Sequence, residues 1–480
     1  MQTELPWLLY APFFCANSTF VRADPGSMLV SPGGYAVPTP ETSQRFYERL
    51  FALYPGSKMA GYEVDFMNDN FLNQLRFRQE LGAAEGWLRG MHAAATERAI
   101  SIQYCMPLPS DLLASLQHPH VTNYRASDDY AGSSITNFNL QTSSLLGWSL
   151  GLRPSKDVFF TTDNAPENPY IKRLNEHHPT VPGVDLELNA LIATLSTGPV
   201  AMGDAAGRTD RALIMRSCTE DGSLLQPNKP LTGIDALYDG RGRPAGGLAA
   251  AGGAQVWTTY SQITTASPAA PMAAAAGAGA GTGAGAGGAA VQTQLLLSID
   301  VEGPYTVVDT ELDFYPGFDS DAAPHVYIWD HEVTASASKC VNGSAAVGTG
   351  CAATTMPALD DSNRPFLQHF DSHKWSLLHV MPVLQNGWVF LGELGSKWVP
   401  ASGARFSALE ATSPHQVGVT AACSADEVLR VGALKPMPPQ DGDTGGGEGG
   451  RSTGDDWVVA VHEIKCAGAS GEQHICIGRC

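Results

Sequence analysis

Three short apolar runs in this 480-residue chain end in ionisable groups. Tyr62-Glu63-Val64-Asp65-Phe66-Met67 carries Asp65. Val121-Thr122-Asn123-Tyr124-Arg125 is followed by Ala126-Ser127-Asp128-Asp129, a cation and then two acids. Thr197-Gly198-Pro199-Val200-Ala201-Met202-Gly203 leads into Asp204. Two carboxylates on separate strands are what retaining glycoside hydrolysis needs: one attacks the anomeric carbon, and the other protonates the leaving oxygen and later activates water. The two must differ in environment, so that one stays ionised while the other keeps its proton. Asp65, among apolar neighbours and with Arg125 as counter-charge, suits the nucleophile. Asp128 beside Asp129 suits the acid, since a like charge raises a carboxyl pKa. The ordinary alternative is structural. A lone Asp after a strand commonly caps the next helix, Ser127-Asp128-Asp129 reads equally as an N-cap with first-turn acids, and Asp204 reads as a turn residue.

The elements that would position these groups alternate. Strand candidates are Leu8–Phe14, Tyr62–Met67, Ile100–Met106, Val121–Arg125, Asp157–Thr161 and Gly198–Gly203, the first expected to be buried rather than a signal peptide. Helical periodicity links them: Phe46, Leu50, Leu53 and Tyr54 share a face, Thr142–Leu152 reads as a helix ending near Gly151, and Leu188, Leu191, Ile192 and Leu195 share another face. Strand–helix alternation implies parallel strands, and active sites in (β/α)₈ barrels lie at the C-terminal strand ends. Six units are two short of a closed TIM-type barrel, so an incomplete barrel with two exposed edges is expected. Beyond about residue 245 the helical patterns stop. Gln255–Ser261, Gln294–Val301, Tyr305–Leu312, Val326–Asp330, Leu377–Leu384, Trp388–Leu394 and Trp457–Cys466 read as strands of an antiparallel β-sandwich, with Gln385-Asn386-Gly387 as a type I′ hairpin turn. The expected organisation is a barrel domain over 1–245 and a sandwich over 246–480. Low-complexity inserts at about 265–292 and about 438–456 are too poor in bulky apolar residues to bury a core.

Composition narrows the partners. A formal charge of −19 argues against nucleic acid, and the lack of an 18-residue apolar run argues against a membrane helix. The nine cysteines are widely spread, and a local disulfide among Cys466, Cys476 and Cys480 is expected in preference to a zinc site. His177-His178 reads as a solvent-exposed loop pair, because adjacent histidines rarely share one metal. The sequons Asn17-Ser18-Thr19 and Asn342-Gly343-Ser344 become glycosylation sites only in a secretory compartment. An extracellular or vacuolar/lysosomal setting is preferred to the cytoplasm.

The order of these motifs resembles that of retaining α-glycosidases of the α-galactosidase and raffinose-synthase type, glycoside hydrolase clan D. Glu63-Val64-Asp65 matches that family's strand-four nucleophile motif. Arg125-Ala126-Ser127-Asp128-Asp129 matches its strand-six motif, and Gly198 to Asp204 its strand-eight segment. Cys105, in Ile102-Gln103-Tyr104-Cys105-Met106, matches a pocket cysteine of strand five. The resemblance implies double displacement by Asp65 and either Asp128 or Asp129. The sugar would be held by Glu63, Gln103, Cys105, Arg125, Asp129 and Asp204, and no metal or organic cofactor would be needed. Two departures bear on which sugar is held. Glu63 stands where the family usually has Lys, and Asp157-Val158-Phe159-Phe160-Thr161-Thr162 lacks the family's Trp-Asp pattern. A catalytically silent carbohydrate-binding protein and a raffinose-synthase-like transglycosidase are the alternatives.

Overall fold

A computed structural model describes residues 5–54 except 12, 58–127, 140–162, 185–234, 255–265, 290–299, 305–306, 325–329, 351–352, 366–367, 375–436 except 396, 457–466 and 471–478. The chain forms two compact units. The first comprises Met1–Tyr130, Asn137–Val158 and Gly198–Val200; the second comprises Ala131–Thr136, Phe159–Thr197 and Ala201–Cys480.

The first unit is built on a parallel sheet of five strands: β1 (Trp7–Ala11), β2 (Met59–Val64), β3 (Ser101–Tyr104), β4 (Val121–Arg125) and β5 (Arg153–Ser155), in that spatial order. Strands in chain order and all parallel require crossovers, and helices supply them. Ser43–Ala52 lies between β1 and β2, Ala83–Glu97 between β2 and β3, Pro109–Ala114 between β3 and β4, and Leu140–Ser149 between β4 and β5. This last helix ends as its glycine implies. Gly151 takes φ 80°, which lets Leu152 N–H reach Gly147 O at 2.9 Å.

The two faces of the sheet differ in chemistry. Tyr62, Val64, Ile102, Tyr104 and Tyr124 are buried. Tyr62 meets Tyr47 and Phe51 of the first crossover helix, with ring centroids 5.8 and 5.4 Å apart. Each such side chain contributes roughly 1.5–3 kcal/mol of burial. The other face is polar. Pairing places Tyr10 opposite Glu63, Glu63 opposite Gln103, Gln103 opposite Asn123 and Asn123 opposite Arg153. In-register neighbours lie about 4.8 Å apart, so these five residues form a continuous row of polar side chains across the sheet.

Several expectations are corrected here. Residues 157–161 are not the strand after β4. That place is taken by Arg153–Ser155, which pairs with Asn123–Arg125. In the second unit Phe159 makes a single parallel bridge with Met202. The apolar run 8–14 is no buried strand. In β1 exposure alternates, with Leu8 42% and Tyr10 51% exposed, because β1 has one neighbour, β2, among the described residues. Phe14–Cys15 instead joins Tyr35–Pro38 and Met28–Val30 in a small antiparallel sheet. Leu53 and Tyr54 lie past the end of their helix and are exposed. The described parallel sheet has five strands, and no closed barrel is seen among the described residues.

The second unit is mainly antiparallel. One sheet orders Thr232–Gly233, Gln255–Thr264, Ala290–Ile299, Trp375–Pro382 and His325–Trp329. A second contains Val389–Glu393, Val428–Pro436, Trp457–Lys465 and Cys351–Ala352. A third contains Phe406–Ser413, Gln416–Cys423 and Gly471–Gly478. Ile263, Val291, Trp388, Phe390, Phe406, Val417, Val431 and Ile475 meet in one core drawn from all three sheets, a sandwich-like arrangement. The helix Leu186–Leu195 is capped by Asp185, whose side chain accepts from Leu188 N–H at 2.9 Å and from Trp375 Nε1 at 2.6 Å. Its Leu188, Leu191, Ile192 and Leu195 are buried, as their spacing implies.

Two local expectations also change. The turn at Gln385-Asn386-Gly387 forms, with Gly387 N–H bonded to Leu384 O at 2.8 Å. Only Gly387 takes a positive φ, however, so the turn is not type I′. After the single bridge Val383–Val389, its arms enter different sheets. Cys466 pairs with Cys423, not with a C-terminal neighbour, because the two lie at the ends of strands sharing one core. Residues 266–289 of the Ala/Gly tract, the Gly/Asp tract, His177, His178 and Asn342 lie outside the described residues, while the expected end of the first insert, 290–292, belongs to the strand Ala290–Ile299.

Candidate active site

The three inner strands each end by presenting a side chain on the polar face. Beyond the row described above, the next position on each strand brings Asp65, Cys105 and Arg125 side by side, since Val64, Tyr104 and Tyr124 are in register. The chain leaves both central strands through left-handed backbone. Phe66 has φ 52° and Met106 φ 50°, unfavourable for residues with a Cβ and persistent only where surrounding contacts enforce it. Asn68 N–H bonds to Met106 O at 3.0 Å, tying the two bends together.

Asp65 is 5% exposed, and its hydrogen bonds decide between capping and a site role. The helix that follows, Met67–Asn73, starts at Phe66 with no side-chain cap. One Asp65 oxygen, Oδ1, accepts from Phe66 N–H at 2.6 Å. The other, Oδ2, accepts from the Tyr10 hydroxyl at 2.8 Å across the β1–β2 pair. The Cys105 thiol lies beside Asp65 and Glu63 and is coupled to both charges. Asp65 is therefore no helix cap. Its carboxylate is held between neighbouring strands.

Around it the electrostatics are coupled. Burial raises the Glu63 carboxyl above its usual range, and the charge of Asp65 pushes the same way, while Arg125 opposes. Burial raises the Cys105 thiol, again against Arg125, so it remains a thiol. Tyr10 is raised by burial and by its bond to Asp65, and so stays a donor. Asn123 Nδ2 donates to Gln103 Oε1 at 2.7 Å, and Gln103, opposite Glu63 on the next strand, helps to lower that carboxyl. Arg125 pairs with Asp157 at 3.5 Å. Lys156 is lowered to about 8 by burial, against the opposing charge of Asp157. Asp157 N–H donates to Ser127 Oγ at 2.8 Å.

Of the residues singled out in the sequence, Glu63, Asp65, Gln103, Cys105 and Arg125 are brought together. Asp128 and Asp129 lie outside the described residues. Asp204 belongs to the second unit, where its carboxylate accepts from Thr161 N–H at 3.0 Å, Thr161 Oγ1 at 2.7 Å and Thr162 Oγ1 at 3.5 Å. Tyr10, Asn123, Lys156 and Asp157 were not among the sequence candidates. For Tyr10 the signal was parity alone: it lies opposite Glu63, and alternation puts it on the Asp65 face. Among the described residues, the group close enough to hold a metal is Cys423, Glu427 and Cys466. Both sulfurs are joined in the disulfide, and Arg405 binds Glu427 at 2.7 Å. No helix among the described residues is long and apolar enough to cross a membrane.

No family model matches the chain, and no curated protein does. Similar solved structures include a family GH36 α-galactosidase, AgaA of Geobacillus stearothermophilus. A substituted form with raffinose aligns at 10% identity and TM-score 0.31, over 79% of this chain and 45% of that one. A second, with stachyose, aligns at 9% identity and TM-score 0.32 over the same shares. The chain thus spans less than half the length of these structures. The likeness is distant and assigns no residue a role.

Proposed function

We propose that this chain carries the nucleophile side of a retaining α-glycosidase site, with Asp65 as the nucleophile. The observation that carries the reading is the hydrogen bonding of Asp65. A buried carboxylate at a parallel strand end is held by Tyr10 and its own next amide, and does not cap the helix behind it. A carboxylate so fixed is oriented for attack, because a positioned nucleophile avoids the entropy of being brought into line.

In the first step an Asp65 oxygen bonds to the anomeric carbon as the glycosidic C–O bond breaks. The departing oxygen takes the proton of the acid, Asp128 or Asp129 by the motif of the sequence. In the second step water attacks the same carbon, the ester bond breaks with its electron pair returning to Asp65, and the acid residue recovers a proton from the water. A sugar hydroxyl in place of water gives transglycosylation. Arg125, Gln103 and Glu63 offer one cationic donor, one amide and one carboxyl to sugar hydroxyls. Asp204, a further sugar-binding candidate, accepts from Thr161 and Thr162 in the second unit and keeps acceptor capacity beyond them.

A panel of aryl α-glycosides, with and without acceptor sugars, tests the reading on wild-type protein and Asp65→Asn. Turnover of at least one substrate by the wild type, lost in the variant, supports it. Turnover that survives the substitution removes Asp65 from the mechanism. Binding of sugars without any turnover leaves a silent carbohydrate-binding protein.

A further inference from the structure

Tyr10 is the group around Asp65 with the most specific placement and no part in the steps above. Its strand is the neighbour of the Asp65 strand, and its side chain is half-exposed while its hydroxyl reaches a buried carboxylate oxygen at 2.8 Å. The other carboxylate oxygen is bound by Phe66 N–H. The backbone that delivers this amide is the left-handed Phe66, so the two donors approach Asp65 from different strands. Mobility of either donor would let the carboxylate rotate.

We propose that Tyr10 is a positioning residue for Asp65 and acts chiefly in the second chemical step, by hydrogen-bonding the carboxylate as it leaves the anomeric carbon. The inference rests on the nucleophile role of Asp65. In the covalent intermediate the Asp65 ester oxygens carry little charge, and the Tyr10 hydroxyl gains little by donating to them. As water attacks C1 and the ester C–O bond breaks, the electron pair returns to Asp65 and the full carboxylate charge reappears. A donor already in place stabilises that charge, because hydrogen bonds to ionised acceptors are about twice as strong as neutral ones. The phenol keeps its own proton throughout. Its contribution is therefore larger for the step that forms the carboxylate than for the step that consumes it.

Tyr10→Phe removes the hydroxyl and leaves the ring, so the half-exposed packing is retained. With an aryl α-glycoside bearing a good leaving group, the variant should show a pre-steady-state burst of aryl alcohol equal to the enzyme concentration. A steady rate lower by roughly 10- to 100-fold should follow, the loss expected for one hydrogen bond to a charged group. KM should fall with kcat, because the intermediate accumulates. Added azide should raise the steady rate, since it attacks the same intermediate without general-base help. A thermal melt of both proteins separates misfolding from chemistry. If the melt is unchanged and the variant shows neither burst nor slowed turnover, the proposal is overturned. If the variant melts early, Tyr10→Trp, which keeps a ring donor, should recover part of the steady rate; failure to do so also overturns it. If the wild type forms no covalent adduct on Asp65 while turning over substrate, the nucleophile reading itself falls and this inference goes with it.

Discussion

Asp65 and Asp204 look alike in the sequence, each following a short apolar run, yet their surroundings differ in kind. Asp65 is bound by a tyrosine of one flanking strand and by one amide of its own chain, and the Cys105 thiol of the other flanking strand lies beside it. Asp204 is bound by the backbone N–H and hydroxyl of Thr161 and by the hydroxyl of Thr162, and Thr161 Oγ1 in turn accepts from Asp210 N–H at 2.7 Å. The first arrangement joins titratable groups across a sheet. The second brackets two loop segments. A strand-end carboxylate is thus a site candidate when its partners are functional side chains of neighbouring strands, and a structural clamp when they are donors of one turn.

The comparison breaks most visibly in activity. Asp65→Asn should lower turnover of any cleaved α-glycoside by at least about 10⁴-fold, the scale seen when a nucleophile is removed. Its unfolding midpoint in urea should barely move, because the amide oxygen can still accept from Phe66 N–H while the amide nitrogen donates to the Tyr10 hydroxyl oxygen. Asp204→Ala should do the reverse. It strands the buried Thr161 donors and should cost about 1–3 kcal/mol of unfolding free energy, with a far smaller change in kcat on the same substrate. Equal activity losses in the two variants would erase the distinction drawn here.

These cases also show what the sequence disclosed. Glu63, Gln103 and Cys105 entered with the family resemblance, whereas Asp65 and Arg125 were legible because strand ends are a one-dimensional property. The parallel alternation of the first unit and the β-rich character of the second were legible for the same reason. Tyr10 was not, because its role depends on which strand pairs with β2 and in what register. The displacement of the fifth strand to Arg153–Ser155 was hidden too. The apolar run 158–160 has the stronger strand pattern, but Phe159 and Phe160 are buried without forming a ladder. Cys423 and Cys466 are 43 residues apart, a separation that no local spacing rule anticipates.

A smaller effect sharpens the contrast between coupled and isolated titratable groups. His92 and His118 are buried and stacked, with ring centroids 3.9 Å apart, and His92 Nε2 shares a 2.7 Å hydrogen bond with the Tyr104 hydroxyl. Burial lowers both imidazoles, and for His92 the neighbouring His118 and His120 add to it. In the unfolded chain these histidines take up protons near pH 6.5, while the folded pair resists until lower pH. The unfolded state therefore binds more protons as the pH falls, and stability is lost below about pH 6.5. For His92 the slope should approach roughly 1.4 kcal/mol per pH unit. Urea unfolding at pH 7.5 and 5.5 checks it: His92→Gln should show a shallower loss than the wild type, and an equal loss would show that other groups set the acid dependence.

The central claim is that Asp65 forms the covalent bond to the sugar. A fluorinated α-glycosyl fluoride, which slows the second step, should be incubated with the whole protein, digested, and read by peptide mass spectrometry. The account predicts one added glycosyl mass on the peptide containing Asp65, with fragment ions placing it on Asp65 and none on the same peptide from Asp65→Asn. A glycosyl adduct on Glu63 or Asp157, or turnover with no adduct on Asp65, would contradict it.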